Sequence, residues 1–270
     1  MRHEACQRND LILDLLIKSY IESAEPVGSK TISRRSDLGL SSASIRNVMA
    51  DLEEQGFLKQ PHTSAGRVPT DQGYRYWVDS LMEPEKLSVE ERDGIQRELD
   101  KVRTIEALAE RICRLISELT GNAVVVYLKS LKRVSFLNYL LDELVEARKL
   151  TDFLEDEPEL FIDGAARIFE QPEFQDVAKM RVLLRMFDEK LTFLDALLGE
   201  PEDDVVHVRI GHENKMNSMG DVSLVAKDCH LGPVAIGGVA VVGPTRMRYS
   251  KVVAVVEYVA DSVSERAKGF

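Results

Sequence analysis

Arg46 and Asn47 stand side by side in the segment Ser42-Ala43-Ser44-Ile45-Arg46-Asn47, where small and hydroxyl-bearing residues surround two side chains with paired hydrogen-bonding groups. An arginine can donate twice to guanine O6 and N7, and an asparagine can pair with adenine N6 and N7, so these types suit the reading of base edges in a major groove. Ser42, Ala43, Arg46 and Asn47 are therefore the candidate base contacts, against the plain alternative of a solvated helix surface. Ser44 near a helix start either caps it or meets a phosphate. Lys30, Arg34, Arg35 and Arg75 are candidate phosphate contacts that would add affinity and salt dependence without choosing sequence, and ordinary surface charge is the alternative. In the loop 61–67, His62, Thr63, Ser64 and Arg67 could meet the same backbone, with Gly66 permitting the turn.

Other constellations carry less. His207, His212, Cys229 and His230 match no metal-ligand spacing, so no metal is assigned. Gly237, Gly238 and Gly243 lack both GxGxxG and a GK[ST] ending, leaving a glycine-bearing strand and turn. Thr245 and Arg246 are read as fixing the turn into the last helix. No Ser/His/Asp or Cys/His set falls on plausible neighbouring loops, so no catalytic residue, cofactor or enzymatic activity is expected.

Apolar spacing from Leu11 to Ala24 predicts a helix ended by Pro26. Ser29 is a candidate cap for a short helix anchored by Ile32, and Ser41 for a third over 42–55, stopped at Gly56. Ile45, Val48, Met49 and Leu52 share the inner face of that third helix, which leaves the Arg46 face outward. Residues 57–60, the loop 61–67 and residues 68–70 then read as strand, loop, strand, and Thr70 caps a helix with Tyr74, Trp77, Val78 and Leu81 as its stripe. Three helices and a β-ribbon in this order predict a winged helix-turn-helix over 1–82.

Residues 83–102 are highly charged and read as a linker running into a helix. A helix from Ile105, stopped at Gly121-Asn122, precedes a buried strand over 123–128. Helical periods follow at about 136–154, 159–169 and 174–198. Residues 205–242 return to strand chemistry and 249–263 close as a helix. The expected fold is α+β: the winged helix, then an antiparallel sheet with helices over 103–130 and 205–270, interrupted by a helical insert over 131–204.

The 270 residues carry 35 Lys/Arg against 46 Asp/Glu, a formal charge of −11, which argues against a cationic surface overall. The window 30–75 is the exception, with Lys30, Arg34, Arg35, Arg46, Lys59, Arg67 and Arg75 against five acids. Three cysteines without a CxxC pair fit a reducing compartment. The first residues lack the apolar core of a signal peptide, and no apolar run reaches the roughly eighteen residues of a membrane span, so a cytoplasmic protein without membrane contact is expected.

The stretches EPVGSKTIS (25–33), SSASIRNVMADLEEQGFL (41–58), QPHTSAGRVPTDQGYRYWVD (60–79), FIDGAARIFEQPEFQDVAKMRVLL (161–184) and DVSLVAKDC with IGGVAVVGPTRMRYSKVVAVVEYVA (221–260) closely resemble the HrcA family of heat-inducible transcription repressors. That resemblance implies a winged-helix DNA-binding domain, a GAF-like domain and an inserted dimerisation domain. It further implies repression of chaperone operons through an inverted-repeat operator, CIRCE, bound by a homodimer, with chaperonin as a modulating partner. Phe161, Ile168, Phe169 and Phe174 are the expected dimer contacts. The family normally carries several more strands and a helix after the strand that matches 123–128; here KSLKRVSFLNYLLDEL follows almost at once, so the GAF-like part is expected to be incomplete. Two other readings are a small-molecule-sensing winged-helix regulator and a family relative impaired by its shortened middle.

Overall fold

Ile12, Leu13, Leu16 and Ile17 fall on one side of a helical turn and are fully buried, which fixes α1 (Arg2–Ser23) as the floor of the first unit. This computed structural model describes residues 2–36, 39–102, 104–128, 159–176, 179, 181, 204–214, 220–231 and 234–267. α2 (Ser29–Arg35) and α3 (Ser42–Glu54) pack on α1 through Ile32, Ile45, Val48, Met49 and Leu52, all buried. Ser41 caps α3 by accepting from Ser44 N, and Gly56 (φ 82°) takes the left-handed conformation that ends it. The cap of α2 differs from expectation. Gly28 is its N-cap, and Ser29 lies inside the helix with its hydroxyl turned to Ser42.

β1 (Leu58–Lys59) and β2 (Val68–Pro69) form an antiparallel ribbon with Leu58 opposite Pro69, and α4 (Asp71–Ser80) follows, capped by Thr70. Helix, helix, helix and ribbon thus occur in the order expected of a winged helix-turn-helix. In residues 83–102, expected as a linker running into a helix, α5 (Val89–Asp100) opens with a Ser88/Glu91 capping box and buries Ile95 and Leu99.

Among the described residues the second unit holds a five-stranded antiparallel sheet, order β4-β3-β7-β6-β5. Its strands are β3 (Ala123–Leu128), β4 (Glu159–Asp163), β5 (His207–Ile210), β6 (Val222–Leu231) and β7 (Val234–Pro244). α6 (Ile105–Thr120), ended by Gly121 in the left-handed region, and α8 (Tyr249–Ala267) cover one face. There Val124, Val126, Val225, Val239 and Val241 meet Ile112, Ile116, Val252 and Val256 in a core that continues into the first unit. The strand alternation sends Ala123, Val125, Leu224 and Val242 to the other face, against Ile168 and Phe174. Among the described residues, no helix is long and apolar enough to cross a membrane.

Residues 159–169 depart from the sequence expectation. A single helix was expected there, within the insert. Instead Glu159–Asp163 is an edge strand whose Phe161 lies opposite Val126, and only Ala165–Phe169 (α7) is helical, after Gly164 in a left-handed turn. Leu160-Phe161-Ile162 is as compatible with a strand as with one helical turn, and pairing with the continuous β-branched run of β3 decides between them. The segment therefore extends the sheet that was expected to be incomplete. The helix expected over 136–154 lies outside the described residues. That expected over 174–198 is described only at its start, where Phe174 closes a 3-10 turn (Pro172–Phe174).

Candidate nucleic-acid interface

The inner stripe of α3 leaves Ala43, Ser44, Arg46 and Asn47 exposed on the opposite side, as the periodicity predicts. Among the described residues the side chains of Arg46 and Asn47 have no hydrogen-bond or ion-pair partner, so both are available to a ligand. Ser42 is half-buried and its hydroxyl lies 3.0 Å from that of Ser29, where it ties α3 to the start of α2. The Ser44 hydroxyl sits 3.0 Å from the capping hydroxyl of Ser41.

The ribbon loop is held beside this face by its own hydrogen bonds. Gln60 Nε2 donates to the carbonyls of Thr63 and Ala65, both at 3.0 Å, and Ala65 N closes a turn on His62 O. Val27 and Arg67 exchange backbone hydrogen bonds at 2.9 Å in each direction, which fastens the loop to the connection between α1 and α2. Gly66 is required there for space rather than for a turn, since a Cβ would lie 2.5 Å from the Val27 carbonyl. His62, Thr63 and Ser64 are exposed at the tip. A cleft of about 460 Å³ opens between loop and helices, lined by Lys30, Arg46, Gln60, Thr63, Ser64 and Arg67 among others.

The remaining cations divide by partner. Lys30 and Arg34 are exposed with no ion pair among the described residues. Arg35 pairs with Glu22 at 2.6 Å and donates to Ser19 Oγ. Arg67 Nε is 2.8 Å from Glu53 Oε2, with the arginine side chain only 19% exposed, so it braces the loop against α3. Arg75 points away from this face. It binds Glu213 and the Val208 carbonyl of the second unit and reaches Asp79 at 3.1 Å. The hydrogen bond to Glu213, helped by Asp79, raises its pKa above the ordinary guanidinium value in spite of burial. Arg75, an expected phosphate contact, is thus engaged by Glu213, Val208 and Asp79 in this structure.

The four expected dimer contacts are placed as follows. Ile168 and Phe174 are 0% and 1% exposed and fill the chain's second core. Phe161 is half-buried on β4 against the main core, and Phe169 ends α7. Ile168 and Phe174 are committed within the chain, since a side chain buried at this level cannot also line an outer contact without leaving its pocket. Gln60, Glu53 and Glu213, which organise the face and its surroundings, carry no sequence signal of their own.

A three-helix head with a β-ribbon, seated on an α+β body, is the class of protein that these elements define. Residues 129–253 match the family model described as the HrcA protein C terminal domain. The heat-inducible transcription repressor HrcA of Acetivibrio thermocellus is 32% identical, covering 97% of this chain and 96% of its own length, and that of Geobacter sulfurreducens is 33% identical, covering 97% and 98%. The chain belongs to the HrcA family. Both alignments run over more than 330 positions, longer than the 270-residue chain, so these relatives carry residues that this one lacks. A crystal structure of a hypothetical protein superposes with a TM-score of 0.71 at 22% identity, covering 96% of this chain and 97% of that one, and shares the fold.

Proposed function

We propose that this protein is a transcriptional repressor that binds double-stranded DNA through α3 and the ribbon loop, acting as a homodimer on an inverted-repeat operator of the CIRCE type. Arg46 and Asn47, exposed and unpartnered among the described residues on the outer face of α3, carry the reading. Arg46 offers two donors for guanine O6 and N7, and Asn47 a donor and an acceptor for adenine N7 and N6, at the position of a recognition helix. Lys30 and Arg34 supply phosphate contacts at its flank, and the exposed hydroxyls and imidazole of residues 62–64 supply them from the loop. A twofold protein suits a twofold operator, and two linked contacts bind far more tightly than one. Repression of chaperone operons and modulation by chaperonin are proposed on family membership.

Fluorescence anisotropy on a CIRCE-type duplex and a scrambled duplex, at two salt concentrations, tests this. The wild type should prefer the operator by about 10³-fold or more, and Arg46→Ala should lose about 1–3 kcal/mol of that preference. Lys30→Ala and Arg34→Ala should weaken both duplexes alike and each lower the salt slope by about one. Equal binding of both duplexes by the wild type would overturn the reading.

A further inference from the structure

The head and body meet in a joint with a built interior. Tyr249, at the first turn of α8, is fully buried, with its ring centroid 5.8 Å from that of Tyr74 and 6.4 Å from that of Trp77 on α4. Polar contacts frame these rings on two sides. On one, Asp71 Oδ2 accepts from His212 N at 2.9 Å and lies 2.7 Å from His212 Nδ1, while Arg75 binds Glu213. On the other, Arg246 pairs with Glu173 and donates to Gln171 Oε1 at 2.9 Å and to the Ile21 carbonyl at the end of α1 at 3.2 Å. Arg246, read from sequence as a turn residue, thus joins three separate segments. The connecting chain is itself pinned: Glu85 N donates to Ser250 O at 2.9 Å, and its carboxylate meets Arg248 and Ser250.

We infer that this joint, rather than a flexible tether, sets the separation of the two recognition helices in the dimer, so that Asp71, Glu213 and Arg246 determine which operator spacing is accepted without touching DNA. The inference rests on the DNA-binding dimer proposed above. A free tether of the twenty residues 83–102 would reach about 25 Å and absorb many spacings. A head locked to its body cannot do so. Adding five base pairs moves one arm about 17 Å and half a helical turn away, onto the opposite side of the duplex. A rigid dimer must then release that arm, and its affinity falls to that of a single arm.

The test measures anisotropy on CIRCE-type duplexes with the natural spacer and with spacers lengthened by five base pairs, and on a single-arm duplex. The proteins are the wild type, a form with Gly-Ser-Gly-Ser inserted between Glu83 and Pro84, and that insertion combined with Asp71→Asn, Glu213→Gln and Arg246→Gln. Wild type and the simple insertion should both lose about 50-fold or more on the lengthened spacer. The combined form should bind the two spacings within about fivefold of each other while keeping wild-type single-arm affinity. A simple insertion that already levels the spacings, or a combined form that keeps the steep loss, would overturn the inference. Should the combined form lose single-arm binding, the insertion with Asp71→Asn and Glu213→Gln alone takes its place under the same criteria. A wild type that fails to distinguish the single arm from scrambled DNA would overturn the DNA-binding reading itself, and this inference with it.

Discussion

Replacing Tyr249 by phenylalanine keeps the ring in the joint and removes one hydroxyl. That hydroxyl donates to the Thr245 carbonyl at 2.7 Å and lies 2.7 Å from Ser223 Oγ, itself fully buried on β6. Tyr249→Phe leaves both groups without this partner, the Ser223 hydroxyl fully buried and the Thr245 carbonyl part-buried, at about 1–3 kcal/mol for a buried group left unsatisfied. The Ser223 hydroxyl can rotate and recover part of its loss, so the expected total is about 2–3 kcal/mol, or a melting temperature lower by about 5 °C or more. Urea unfolding followed by tryptophan emission is the assay. Trp77 is the only tryptophan, it faces Tyr249, and its Nε1 donates to Asp14 at 2.8 Å, so its signal reports this joint. Adding Ser223→Ala to Tyr249→Phe removes one of the orphaned groups and should return about 1 kcal/mol. A loss below about 0.5 kcal/mol for Tyr249→Phe, or a double variant no better than the single, would refute the assignment of cost to those two hydrogen bonds.

Ile168→Ala should lower stability by about 2–5 kcal/mol, because it opens a cavity beside Val125 and Val242, and should leave the dimer constant unchanged under conditions where both proteins are folded. Thermal melts with analytical ultracentrifugation check this; unchanged stability with a weakened dimer would return Ile168 to the interface. Gly66→Ala puts a Cβ against the Val27 carbonyl, so the ribbon loop must shift; about 1–3 kcal/mol of stability and a measurable share of DNA affinity should be lost together in melts and anisotropy. Burial raises the pKa of the Tyr74, Tyr127 and Tyr249 phenols in the folded chain. A group with a raised folded pKa stabilises fully below its unfolded pKa and loses that contribution above it, so stability should fall as pH rises beyond about 10. The Cys113 and Cys229 thiols, pushed by burial to about 12, add a loss of the same sign. Urea midpoints between pH 8 and 11 measure it, and a flat profile would contradict the burial of these groups.

What the sequence disclosed followed from local rules. Ser41, Gly56, Thr70 and Gly121 punctuate helices through their own backbone and side-chain chemistry, and each lies where such a residue should. The outward face of α3 was legible because Ile45, Val48, Met49 and Leu52 define its inside. Apart from the cap of α2, where Gly28 stands in place of Ser29, the departures were long-range. Nothing near Glu159 announces that residues 159–163 will pair with β3, more than thirty residues earlier, and a period of five residues cannot separate strand from helix. Arg75 looks like any exposed cation on an amphipathic helix until Glu213, 138 positions away, is brought to it. Ile168 and Phe174 were expected as dimer contacts because nothing nearby points to their partners, Ala123, Val125 and Val242, in other parts of the chain.

Charge gives the same lesson in another form. A chain of net charge −11 needs its cations kept free at one place if it is to approach a polyanion. Of the seven cations in 30–75, Arg35, Arg67 and Arg75 are paired, with Glu22, Glu53 and Glu213. Lys30, Arg34, Arg46 and Lys59 have no such partner among the described residues, and all four belong to the helix pair and ribbon of the head. The pairings therefore decide which positive charge is on offer. Arg75 ties the head to Glu213, Arg67 braces the ribbon against α3, and the other four cations are left exposed. The exposed Arg35–Glu22 pair contributes about 0–1 kcal/mol to stability, so Arg35 can change partner at little cost when a phosphate approaches. The same exchange at Arg75 would break its contacts with Glu213 and the Val208 carbonyl, so for the two arginines, both candidate phosphate contacts by sequence, a phosphate contact would carry different costs.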